Sequence, residues 1–215
     1  MATRIAGAFL LFGCIILLVT TVDFVSTVAT FTGGDDAPIA DRLAWSKSVY
    51  DRMAAGWMIE VIAIGLIAAA GLSFLSRASR TGWALAAVGA LVTAPQYAML
   101  RGGRGGVFES DEINAELFIT VSRMASEAFY IGQGLMMFGF ACVFVLEILN
   151  PARVLPRWAL GFGGVFGTLS GTFFVMMHTN LIDSWMLAGL TGLVTLAATS
   201  VLALALIWKG EAEIA

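Results

Sequence analysis

The chain has 215 residues, of which 59% are hydrophobic and only 13% charged, with a formal net charge of -3. Soluble domains carry about 25% charged residues, so most of these side chains meet no water, and the class implied is an integral membrane protein. No basic patch with interleaved aromatics is present, which argues against a nucleic-acid partner.

The first predicted element is an apolar helix over about 4–31, interrupted by Asp23. Arg4 followed by an apolar run imitates a secretory signal, but the run is long enough to span a bilayer and is read as a retained helix. The turn Gly33-Gly34-Asp35-Asp36-Ala37-Pro38 ends it. Residues 38–50, with Trp45 and Tyr50, are expected to form a short interfacial helix, because Trp and Tyr favour the headgroup level. A second span covers about 50–75 and a third about 82–100, with Pro95 near its end. The glycine-rich stretch from Arg101 to Glu112 reads as the most loop-like part of the chain. The fourth span, about 113–149, exceeds the bilayer thickness at about 1.5 Å per residue. It is expected either to project into water or to break near Gly132 and Gly134. Spans five and six cover about 158–179 and 185–208. The fold class is therefore all-α: one polytopic transmembrane bundle of about six helices over residues 1–215.

Loop charges set the expected orientation. Arg4, Arg77, Arg80, Arg153, Arg157 and Lys209 fall on one side, in short loops whose only acids are Glu211 and Glu213, with Glu147 near a helix end. The other side carries most of the acids and Arg42, Lys47, Arg52, Arg101 and Arg104 on longer loops. Basic density in short loops predicts both termini in the cytoplasm.

Ionisable groups at membrane depth are costly and usually face a bundle interior. Asp23, Glu60, Glu127 and His178 are such groups, and Arg123 lies one turn from Glu127. Thr20, Asp23, Thr27 and Thr30 share a helical face, as do Glu116, Thr120, Arg123, Glu127 and Tyr130. Both stripes are expected to turn inward. Asp23 and Glu60 fall roughly 12–15 Å below the outer boundary, and Gln96 and Tyr97 lie at the outer end of their helix. The polar groups thus gather in the outer half, and the inner half, around Cys14 and 141–145, reads as dry. The candidate polar pocket comprises Asp23, Glu60, Arg123, Glu127, Tyr130 and His178.

Chemically, three carboxylates and a histidine are acceptable metal ligands. They come from four helices without an ExxH pairing, so metal and cofactor are left unknown; one histidine in the chain excludes bis-histidine haem ligation within it. The bland alternative is a buried network, such as Arg123 with Glu127 and Asp23, that fixes helix register. Gly163, Gly167 and Gly171 recur at four-residue spacing and mark a close helix contact, within the chain or with a second subunit. Cys14 and Cys142 read as buried free thiols.

The segment Arg153-Val154-Leu155-Pro156-Arg157-Trp158-Ala159-Leu160-Gly161, with Trp208-Lys209-Gly210 and Arg4-Ile5-Ala6-Gly7, resembles the small bacterial six-helix membrane proteins grouped only as a domain of unknown function. The resemblance implies six helices and a bacterial inner membrane; no activity or site residue carries over with it. The sequence favours a non-catalytic accessory or scaffold subunit, acting by lateral contact with lipid or with other membrane subunits, its interior filled. The rival is a small-molecule, ion or metal site in the outer half, serving a membrane-embedded enzyme, a sensor or a transporter.

Overall fold

The computed structural model describes residues 2–33, 37–109, 114–179, 181 and 185–209. The Gly34–Asp36 part of the first turn, Asp111 and Glu112 of the acidic cluster, Asn180 and Asp183, and the tail acids Glu211 and Glu213 lie outside these. Six helices are long and apolar enough to cross a membrane. They are α1 (Ala2–Val28), α2 (Ile39–Ser73), α3 (Arg80–Ala98) with its continuation α4 (Arg104–Glu109), α5 (Ala115–Leu149), α6 (Arg157–His178) and α7 (Trp185–Lys209).

Two boundaries differ from the sequence expectation. The interfacial segment is not a separate helix: α2 runs unbroken from Ile39, so its polar first turns extend the span. The glycine-rich stretch is not a loop either. A π-helical turn over Met99–Gly103 joins α3 to α4 without a break. Glycine here meets neighbours rather than water. A Cβ on Gly103 would strike the Val121 side chain, and one on Gly105 the Tyr50 hydroxyl. Within this turn the Arg101 carbonyl accepts a hydrogen bond from Tyr50 Oη at 2.5 Å. The long α5 neither breaks at Gly132 nor at Gly134. It starts on a cap in which Asn114 accepts from the Leu117 amide at 2.9 Å.

The six spans form a closed ring in chain order: each packs on the next, and α7 returns to α1. Ala2 and Lys209 therefore share one end of the bundle, called here the terminal end; the opposite end is the loop end. Small residues set the closest approaches. A Cβ on Gly82 or Gly139 would run into α5 or α3 respectively, and Gly89 and Gly132 face each other's backbones. Gly163, Gly167 and Gly171 lie against Phe144, Ala141 and Phe138 of α5, so this glycine face is used within the chain. Gly7 meets Ala203 and Ile207, closing α1 on α7.

In the terminal half the ring is filled by side chains such as Leu10, Ile64, Trp83, Phe140, Phe144 and Leu206, all buried. This half is apolar but not wholly dry. Glu147 accepts from Ser79 Oγ at 2.8 Å, Arg77 Nη2 at 3.4 Å and Asn150 Nδ2 at 3.3 Å. Trp83 Nε1 in turn donates to Ser79 Oγ at 3.0 Å.

Candidate functional site: a cavity in the loop half of the ring

The loop half is not filled. A cavity of about 430 Å³ lies within the ring, and all six spans contribute to its wall. On α1 it reaches from Leu17 to Val28, roughly 16 Å at about 1.5 Å per residue. Its wall has two characters. From α1 and α7 come Leu17, Phe24, Val25, Leu193 and Leu196, an almost wholly apolar surface broken only by Thr21. From α2 to α5 come the polar groups: Glu60 and Trp57 on α2, Gln96 and Tyr97 on α3, Arg104 on α4, and Ser126, Tyr130 and Gln133 on α5.

The local sequence explains this asymmetry. Glu60 and Trp57 are three residues apart on α2 and share a face. Gln96 and Arg104 reach the same cavity although eight residues separate them, because the π turn lies between them and carries α4 on along the α3 direction. Glu60 faces the hydroxyls of Thr20 and Tyr97. Arg104 lies 5.9 Å from the Trp57 ring centroid and 5.3 Å from that of Phe118, and its Nε donates to Ser122 Oγ at 3.1 Å. Gln96 and Gln133 are only 9% and 6% exposed. Neither carboxamide has a hydrogen-bond partner among the described residues, and the Gln96 Oε1 atom is buried without one.

Of the six pocket residues expected from sequence, Glu60 and Tyr130 line the cavity and the other four do not. Asp23 pairs with Arg52, not with Arg123, and both partners are about half exposed. Glu127 pairs with His178 Nδ1 at 2.5 Å, with 53% and 41% of the side chains exposed. Arg123 is exposed and makes no ion pair with either acid. The two polar stripes therefore do not turn inward as units. Their threonines need no interior partner, because Thr20 and Thr27 donate back to Ile16 and Asp23 carbonyls at 3.0 and 2.9 Å. The expected Arg123–Glu127–Asp23 network is replaced by two separate pairs near the loop end.

Arg104 and Gln133 were not picked out by sequence. Arg104 sits in a run that reads as loop, and only the persistence of helix through Gly102–Gly106 brings it to the cavity. Gln133 is neutral, so a search for ionisable groups at membrane depth passes over it; its position between Gly132 and Gly134 is the one local sign. Asp23, Glu60, Glu127 and His178 do not converge on one point, and among the described residues no three metal-ligating groups do. Cys14 and Cys142 are free thiols, the first buried and the second half-buried. No protein-family model, curated protein or solved structure matches the chain.

Proposed function

We propose that the protein binds a small molecule inside the membrane, in the central cavity of the helix ring. The observation that carries this reading is the pair Gln96 and Gln133. Both are more than nine-tenths buried, both line the cavity, and neither has a partner among the described residues. Leaving a buried polar group unsatisfied costs about 1–3 kcal/mol. Gln96 Oε1 is such a group, and with the unpartnered Gln133 carboxamide beside the same space it favours an occupant that completes their hydrogen bonds. The volume lies in the range of small-molecule pockets, and the mixture of apolar wall with a few convergent polar groups is their usual chemistry. A scaffold whose only task is lateral contact has no need of this space.

In this reading the protein resides in the inner membrane of a bacterium with both termini cytoplasmic, as the resemblance and the basic loops imply. Support for the orientation grows once the helices are located. Of the basic residues on the loop side, Arg52 is tied to Asp23 and Arg104 belongs to the cavity. Neither acts as a free loop charge.

Native mass spectrometry of the protein, released gently from its own membrane, tests the proposal. The expected result is a retained small mass per chain, absent from Gly189→Phe. Gly189 lines the cavity and a Cβ there meets nothing within 4 Å, so the ring can enter the space without displacing a helix. An empty wild-type protein that travels instead with other subunits at fixed ratio would overturn the binding reading in favour of the accessory-subunit one.

A further inference from the structure

The cavity contains one acid and one base, and they do not pair. Among the described residues Glu60 is the only carboxylate in its wall, and it faces the Tyr97 and Thr20 hydroxyls. Arg104 is the only cation there, and no carboxylate among the described residues lies within ion-pair distance of it. Its guanidinium is instead held by the faces of Trp57 and Phe118 and by one hydrogen bond from Nε to Ser122. Those contacts fix the group without neutralising it, and leave the Nη donors unused among the described residues. A half-buried arginine among aromatic rings normally answers to a counter-charge or to water. A planar fork of free N–H groups matches a carboxylate or a phosphate.

The cavity is also sided. Arg104, on the segment that follows α3 toward the loop end, stands at the loop end of the cavity. The apolar wall of α1 and α7 runs from there down to Leu17 and Leu196. Resting on the cavity as a binding site, we infer that its ligand is an anionic amphiphile, with its carboxylate or phosphate on Arg104 and its chain against α1 and α7. A cationic headgroup has Glu60 as its counter-charge among the described lining residues, but that carboxylate already faces the Tyr97 and Thr20 hydroxyls. The Trp57 face is occupied by the guanidinium, and an ammonium group at the loop end of the cavity would meet Arg104. A neutral chain would fit the apolar wall and leave Arg104 unanswered.

Three probes of equal chain length separate these cases: radiolabelled decanoate, decanol and decyltrimethylammonium. Each is titrated against the full-length protein in nanodiscs of zwitterionic lipid, with empty nanodiscs subtracted. Decanoate is expected to bind at least tenfold tighter than decanol. Arg104→Gln should bring decanoate down to the decanol level while leaving decanol itself unchanged, and Arg104→Lys should keep part of the preference. Gly189→Phe should remove saturable binding of both. Should that variant fail to fold, the Arg104→Gln comparison stands by itself, because among the described residues Arg104 belongs to no ion pair whose loss would unfold the chain. Equal binding of decanoate and decanol, or tightest binding of the ammonium probe, would overturn the anionic ligand and leave the cavity reading intact. No saturable binding of any probe would remove both.

Discussion

Glu147 has 2% of its side chain exposed and Arg77 8%, and the two meet between the α2–α3 turn and the end of α5. Ser79, Asn150 and, through Ser79, the indole of Trp83 complete the cluster. Removing one member of a buried ion pair strands the other and typically costs about 3–5 kcal/mol. Glu147→Ala is therefore expected to lower stability by about that amount in a denaturation series in mild detergent, and Glu147→Gln by less, since its amide oxygen still accepts from Ser79. A loss of under ~1 kcal/mol for the alanine variant would show that the cluster contributes little. This residue was visible in the sequence as an acid near a helix end but was read as part of the loop charge. Its partner Arg77 lies in a turn seventy residues earlier, and nothing local joins them. The same limit explains the outward Asp23 and Glu127. A polar stripe on one helix says that the face is unusual, but which neighbour takes up each charge is a property of the ring. Glu60 differs from Asp23, placed at the same depth, in sharing its face with the buried Trp57 one turn away, so its own helix already points it inward.

At the scale of elements, α1, α6 and α7 follow their predicted limits within a few residues, because an uncharged apolar run has no other stable home in a bilayer. The departures are at α2 and α3–α4, where polar or glycine-rich turns continue a helix that composition alone would end. Tertiary contact decides there: Tyr50 bonds the π turn and Val121 lies on Gly103. The α3–α5 seam has the opposite character, a contact set by what is missing. A Cβ on Gly89 would stand 2.7 Å from the Gly132 carbonyl oxygen and closer still to the Met136 amide, backbone atoms that cannot give. Gly89→Ala should force the helices apart at a cost of about 1–3 kcal/mol. Gly161→Ala, whose Cβ meets nothing within 4 Å, should be neutral or slightly stabilising, since alanine is the better helix former by about 1 kcal/mol. Thermal melts of the two variants side by side check the pair; equal midpoints would mean that the seam is looser than its geometry.

At the scale of the molecule, an even number of spans puts Thr3 and Trp208 on the same face of the membrane. Single cysteines at these positions, in a chain with Cys14 and Cys142 replaced, should react together with an impermeant thiol reagent applied from one side, and both be silent from the other. Opposite labelling of the two would require an odd number of crossings. The ring that brings them together also keeps the order of the spans the same in space as in sequence, with α7 completing the circle against Gly7 of α1. A circle has no first member. Three junctions between neighbouring spans lie at the terminal end: α7 with α1, the α2–α3 turn and the α5–α6 turn. A linker from α7 to α1, with the chain reopened between Ala152, which is exposed, and Arg153 of the α5–α6 turn, should keep the helix contacts and the walls of the cavity. What the architecture requires is the ring, and not the point at which it is opened.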